Sequence, residues 1–217
     1  MFKRLFSWWQ EDVLLKESLD ESASAIDKAS EMFSFAMEVV TNYPDEEANV
    51  YAMDRELNQT QVDIRKKVLE HLAINPNQDV TASLVLISII IDIERVGDLA
   101  KNITELTQIA RGKLINPTYD TVVAEIRKKI EASTVTTRKA FADADPEKAK
   151  QVMSVYTWIS NTCDAHLQTI AGDQDLEVRT AVAYCLLFRY FKRISLHLRN
   201  IASSVVNPFH KLGYKPE

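Results

Sequence analysis

The stretch "ASLVLISIIIDIERVGDLAKNI", residues 82–103, decides the fold. Its first ten residues are rich in β-branched side chains and match a buried strand as well as a buried helix. The continuation "IERVGDLAKNITELTQIA" has the period of a helix, and no other segment reads as a strand that would share backbone hydrogen bonds with it. The whole stretch is therefore expected to be the buried central helix of a bundle. Its apolar run ends at Asp92 and Glu94, well short of the roughly 20 residues a membrane span needs.

Helix breakers divide the rest of the chain. Pro44, Pro76, Gly112 with Pro117, Pro146, Gly172 and Pro208 are regularly spaced. Proline lacks a donor and clashes with the preceding turn, so each belongs at a helix boundary. The intervals predict six helices, over residues 10–43, 45–75, 79–112, 118–143, 146–171 and 174–206. In the first, Leu15, Leu19, Ile26, Phe33 and Met37 recur at helical spacing; in the second, Val50, Met53, Leu57, Ile64 and Val68 do. Asp79 and Asp145, the latter before Pro146, are expected to cap the third and fifth helices. Long helices joined by short connections make antiparallel bundles.

A weaker copy of the central motif, "YFKRISLHLRNI", occupies residues 190–201. Aligned 98 residues apart, the copies share Arg95 with Arg193, Asn102 with Asn200 and Ile103 with Ile201. Lys192 stands where Glu94 stood, and Leu196 where Asp98 stood. Each copy falls in the third helix of a half. The expected fold is all-α, two tandem antiparallel three-helix bundles, over residues 1–113 and 114–217.

Composition fits this. The 217 residues are 46% hydrophobic, enough to bury a core, and 4 Gly with 6 Pro are too few for a turn-rich β fold. A net charge of −5 with no long basic run argues against nucleic-acid binding. Cys163 and Cys185 read as buried thiols in a reducing compartment, not as a disulfide framework. The start "MFKRLFSWWQED" lacks the long apolar core and cleavage site of a secretory signal. A cytoplasmic protein, possible neighbour of the inner membrane, is expected.

On a helix, residues four apart share a face, so Glu94, Asp98, Asn102 and Glu105 form a polar line on an otherwise apolar helix. Two readings stand. Carboxylates facing a neighbouring helix need a partner, and hard oxygen donors suit divalent ions, with iron also bound by such clusters in bundles. Alternatively, Arg95, Arg65 and Lys101 pair with these acids on a solvated face. Gly97 is the only glycine well inside a predicted helix; it costs about 1 kcal/mol relative to Ala and marks a place where something comes close.

The motif formed by Glu94, Arg95, Val96, Gly97, Asp98, Asn102 and Ile103 resembles the signature helix of the PhoU family of phosphate-uptake regulators. The resemblance extends over the whole chain in layout, and it is specific in the third helix of the first half. It implies two tandem three-helix bundles, and in each half a second acidic pattern that completes a surface cluster for iron, zinc or another divalent ion. In the second helix, Asp54 and Asn58 match that pattern, while Gln61 and Arg65 replace its later acids. The resemblance thus implies a partial metal site of Asp54, Asn58, Glu94 and Asp98. The second half offers Tyr156, Ser160, Cys163 and Leu167 on one helix and Lys192 and Leu196 on the other, a set unsuited to a cation. Cys163, His166 and His197 are weighed as a substitute soft-metal site, against structural roles for each.

At the N-terminus, Phe2, Leu5, Phe6 and Trp9 recur at helical spacing beside Lys3 and Arg4. This apolar face suits a membrane surface or a transporter, or else packing on the chain's own bundle or on a second copy. The tail "NPFHKLGYKPE" is expected to hold little fixed structure. No nucleotide loop, nucleophile elbow or Glu-x-x-His pair is present. The resemblance implies a non-enzymatic adaptor that binds a phosphate transporter or its sensor kinase. The alternatives are a metal-binding protein with one partial site, and a structural bundle that forms a homodimer.

Overall fold

Among the described residues, six long helices form between the helix breakers, and the first two bury the stripes that predict them. The computed structural model describes residues 13–43, 50–75 and 80–214. The N-terminal residues Phe2, Leu5, Phe6 and Trp9, and the expected cap Asp79, lie outside these described residues. The helices are α1 Val13–Asn42, α2 Val50–Ile74, α3 Val80–Thr104, the short α4 Leu106–Ala110, α5 Asp120–Ala142, α6 Pro146–Gly172 and α7 Val178–Val206. No strand occurs among the described residues. Leu15, Leu19, Ile26, Phe33 and Met37 of α1 are all buried, as are Val50, Leu57, Ile64 and Val68 of α2, while Met53 is half-buried against the core.

The stretch that reads as either strand or helix is helix α3. It packs against α1, α2 and α7. Val85, Leu86, Ile89, Ile90, Ile93, Val96, Leu99, Ala100 and Ile103 are buried, an apolar face broader than the stripe of a surface helix, as packing against three neighbours requires. The third interval does not run unbroken to residue 112. It stops at Thr104 and restarts as α4 after Glu105. Arg111, in the left-handed conformation at φ 57°, closes α4 with its N–H on Thr107 O. The connection is tied down as well, since the Leu114 N–H donates to Val40 O at 2.7 Å and the Leu114 side chain is buried.

Asp145 caps α6 as expected. Its Oδ1 accepts from the N–H groups of Glu147 at 2.9 Å and Lys148 at 3.2 Å, with Pro146 at the first helical position, where a missing donor costs nothing.

The helices α1, α2 and α3 pack together, as do α5, α6 and α7. Equivalent helices of the two bundles then meet antiparallel. On α1 and α5, Ser34 Oγ donates to Glu131 Oε1 at 3.4 Å, and Asp27 pairs with Arg138 at 3.4 Å. Where α3 meets α7, Asp92 Oδ1 lies 2.7 Å from His197 Nδ1 and accepts from Asn200 Nδ2 at 3.1 Å. Phe33 of α1 stands edge-on to Phe191 of α7, centroids 6.1 Å apart, and Phe188, Tyr184 and Tyr119 continue the aromatic chain into the second bundle.

The tail corrects an expectation. Residues 207–214 are held against α7, with a 3-10 turn at Phe209–Lys211. Asn207 Nδ2 donates to Lys211 O at 3.0 Å and to Tyr214 O at 2.9 Å, and the Gly213 N–H donates to Ser203 Oγ at 2.7 Å. Arg199 donates from its guanidinium to Gly213 O. Gly213 adopts φ +79°, and a Cβ there would sit 2.8 Å from Asn200 Oδ1. A polar, glycine-containing tail is ordered here by side chains from a helix that lies beside it, which its own composition does not reveal.

Gly97 is the other glycine whose missing side chain matters. A Cβ at this position would lie 2.4 Å from Leu57 Cδ2 and 3.2 Å from Met32 Sδ, so the glycine sets how closely α3 nests against α1 and α2. Leu57 and Met32 are buried and have little room to yield. In Gly97→Ala, overpacking of about 1–3 kcal/mol opposes a helix-propensity gain of about 1 kcal/mol. A net loss of stability in urea denaturation is expected; an unchanged or higher midpoint would show that Leu57 repacks freely.

Candidate functional site: a carboxylate face closed by an ammonium

The four residues expected at one site do come from facing helices. α2 carries Asp54 and Asn58 one turn apart, and α3 carries Glu94 and Asp98 one turn apart. At the middle of the group stands Lys101 of α3. Its Nζ lies 3.1 Å from Asp54 Oδ2 and 3.0 Å from Asp98 Oδ1. Asn58 Nδ2 donates to the same Asp54 oxygen at 3.3 Å. Arg95 flanks the group, with Nε 3.6 Å from Glu94 Oε2 and Nη1 3.7 Å from Asp98 Oδ2. Further along, Tyr51 of α2 donates its hydroxyl to Glu105 Oε1 at 3.2 Å. Among the described residues, Arg65 forms none of these ion pairs.

Burial sets the electrostatics. The side chains of Asp54, Glu94 and Lys101 are only 13%, 14% and 18% exposed. Burial pushes the Glu94 carboxyl above its ordinary range; Arg95 opposes this, and the neighbouring Asp98 and Asp54 charges add to it. For Lys101, burial works against the charge, but hydrogen bonds to Asp98 and Asp54 outweigh it and hold the pKa above the usual lysine value. Lys101 therefore stays an ammonium throughout the neutral range.

This arrangement bears on the metal that the resemblance implies. A divalent ion needs oxygen donors at about 2.0–2.6 Å from its centre. The point where Asp54 and Asp98 converge holds an ammonium instead, and Glu94 is turned to Arg95. With Lys101 in place, the donor set fits an organic cation and does not fit a resident metal. No group of three or more His, Cys, Asp or Glu side chains among the described residues is arranged to hold a metal ion.

The second bundle repeats the device. Lys192 of α7, at the position equivalent to Glu94, lies 2.5 Å from Asp164 Oδ2 of α6. Tyr156 lies under the Arg199 guanidinium, 4.4 Å from the ring centroid. Cys163, His166 and His197 are engaged separately. The Cys163 thiol is buried and, chiefly by that burial, pushed up to about 12. His166 Nδ1 lies 2.8 Å from Thr162 O, with its ring stacked on Phe188. His197 serves the Asp92 contact between the bundles. Of the two readings of the polar line, the one that pairs these acids with Arg95, Arg65 and Lys101 names two partners that do pair, Arg95 and Lys101; the reach of Lys101 across to Asp54 and the role of Asp92 were not foreseen. The signal for Asp92 was a lone carboxylate directly after an apolar run.

Residues 23–107 match the family model described as the PhoU domain. No curated protein matches the chain. Among solved structures, the chain is similar to the crystal structure of PhoU from Pseudomonas aeruginosa, with a TM-score of 0.79 at 20% identity over 89% of this chain and 95% of that one. It is also similar to the phosphate transport system regulatory protein PhoU from Streptococcus pneumoniae, with a TM-score of 0.63 at 18% identity over 94% of this chain and 91% of that one. At these identities the likeness establishes the fold of both halves.

A carboxyl whose pKa is raised by folding costs stability when ionised. That cost is present above its folded pKa and fades as pH falls through it. Glu94→Gln is therefore expected to raise the thermal midpoint at neutral pH, with the gain shrinking towards about pH 4. Calorimetry at both pH values checks this; an equal shift at both, or a loss at neutral pH, contradicts the burial cost assigned to Glu94.

Proposed function

We propose that this chain, a member of the PhoU family with its PhoU domain in the first bundle, is a regulatory adaptor of phosphate uptake or phosphate signalling. It works by docking on a membrane transporter or on the sensor kinase that reads it, without chemistry of its own. The observation that carries this reading is the PhoU domain at residues 23–107 within a PhoU fold that extends through both bundles. No helix among the described residues is long and apolar enough to cross a membrane, which suits a protein that visits the membrane from the cytoplasm.

One end of the first bundle suits that visit. Antiparallel α1, α2 and α3 bring the start of α1, the end of α2 and the start of α3 together, and Lys67 of α2 pairs with Glu17 and Glu21 of α1 to fix that register. Large apolar side chains stay exposed there, including Leu69 at 68% and Ile74 at 71%, with Val13, Val80 and Leu84. Such a cluster rimmed by charge is the kind of surface that meets a partner. The altered acidic pattern favours a sodium–phosphate or other anion transporter as the partner over an ATP-driven one.

Affinity capture of the full chain from membranes of its own cells, grown at high and low phosphate, tests the reading. A transporter or its kinase, recovered in a phosphate-dependent manner, is the expected result. Recovery of neither under either condition ends it.

A further inference from the structure

We infer that Lys101 is the resident cation of the first-bundle carboxylate face, so that the chain itself fills the point where the carboxylates converge and the face takes no divalent metal while that lysine is present. Two carboxylates on different helices converge on one point, and the point holds Nζ at 3.0 and 3.1 Å. An ammonium in contact with both oxygens shares their negative charge and repels any second cation at bonding distance. Its stem is buried with them, so displacement would strand a buried charge, which is costly. The group's formal balance follows: Asp54, Glu94 and Asp98 carry three negative charges, and Lys101 and Arg95 return two positive ones.

The second bundle supports the inference independently. There too a lysine on the third helix, Lys192, reaches an aspartate on the second helix, Asp164. The two lysines occupy different positions on their helices, Lys192 aligning with Glu94 and Lys101 lying seven residues further on in its own copy. Both bundles thus bridge their second and third helices with an ammonium, from different positions on the third helix.

The inference does not rest on the adaptor reading, and its test is independent of any partner. Purified full-length protein is titrated with Mn²⁺ and followed by electron paramagnetic resonance and calorimetry, after metal analysis of the untreated preparation. The wild type is expected to show no stoichiometric metal and no saturable Mn²⁺ site at this face. Lys101→Met keeps the apolar stem and removes the charge; it is expected to bind Mn²⁺ at least about tenfold more tightly than the wild type. The gain should vanish in Lys101→Met combined with Asp98→Asn. Lys101→Gln, checked with the first variant for native helicity, guards against a folding defect. A wild-type metal site abolished by Asp98→Asn would overturn the inference, as would folded Lys101 variants that bind Mn²⁺ no better than wild type. The wild-type measurement decides the first point whatever becomes of the variants.

Discussion

The fold depends on enclosing α3. A helix with so broad an apolar face needs several neighbours, and no single one covers more than a stripe of it. Helices α1 and α2 take two sides and α7 takes a third. That last contact makes the two bundles one body, since α7 belongs to the second half and buries its own Phe188, Phe191, Ile194, Leu198 and Ile201 in the shared core. Removing any of the three neighbours would expose apolar surface that is worth about 25 cal/mol per Å². Gly97 belongs to the same constraint, because it sets the depth to which α3 sinks between α1 and α2.

The polar strip is what remains of α3 when its other faces are covered. Glu94, Asp98 and Lys101 emerge along it beside Asp54 of α2. Their charges are partly buried, and the pairings offset desolvation without cancelling it. Glu94 is the residue left most exposed to that cost, since its closest cation is the half-exposed Arg95 at 3.6 Å. The contact with half-exposed Arg95 is close to a surface pair, and such pairs add little stability on average.

The helices were legible in the sequence because proline spacing and apolar period are local signals. The six predicted intervals lie close to the observed helices, and the duplication was visible in shared Arg, Asn and Ile. The site was legible only in part. Asp54 and Asn58 of α2 face Glu94 and Asp98 of α3, but that Lys101 bridges the two helices depends on the register between them, which no spacing within one helix reveals. The break at Glu105 was hidden because a helix that stops and restarts keeps its apolar period. The tail was misjudged because Ser203 and Arg199 supply bonds to it from positions that look like ordinary helix residues, and Asn207 at its own start folds it back.

Equivalent helices of the two bundles meet antiparallel, as the subunits of a twofold dimer would. A true dimer is bound to repeat every surface feature, because one sequence writes both copies. Here two sequences share one chain, and each copy has been free to drift. One keeps a strip of carboxylates closed by a lysine; the other presents Lys192 with Asp164 and an arginine over Tyr156. The molecule therefore has a front and a back where a dimer would have two fronts, and a partner can tell its orientation.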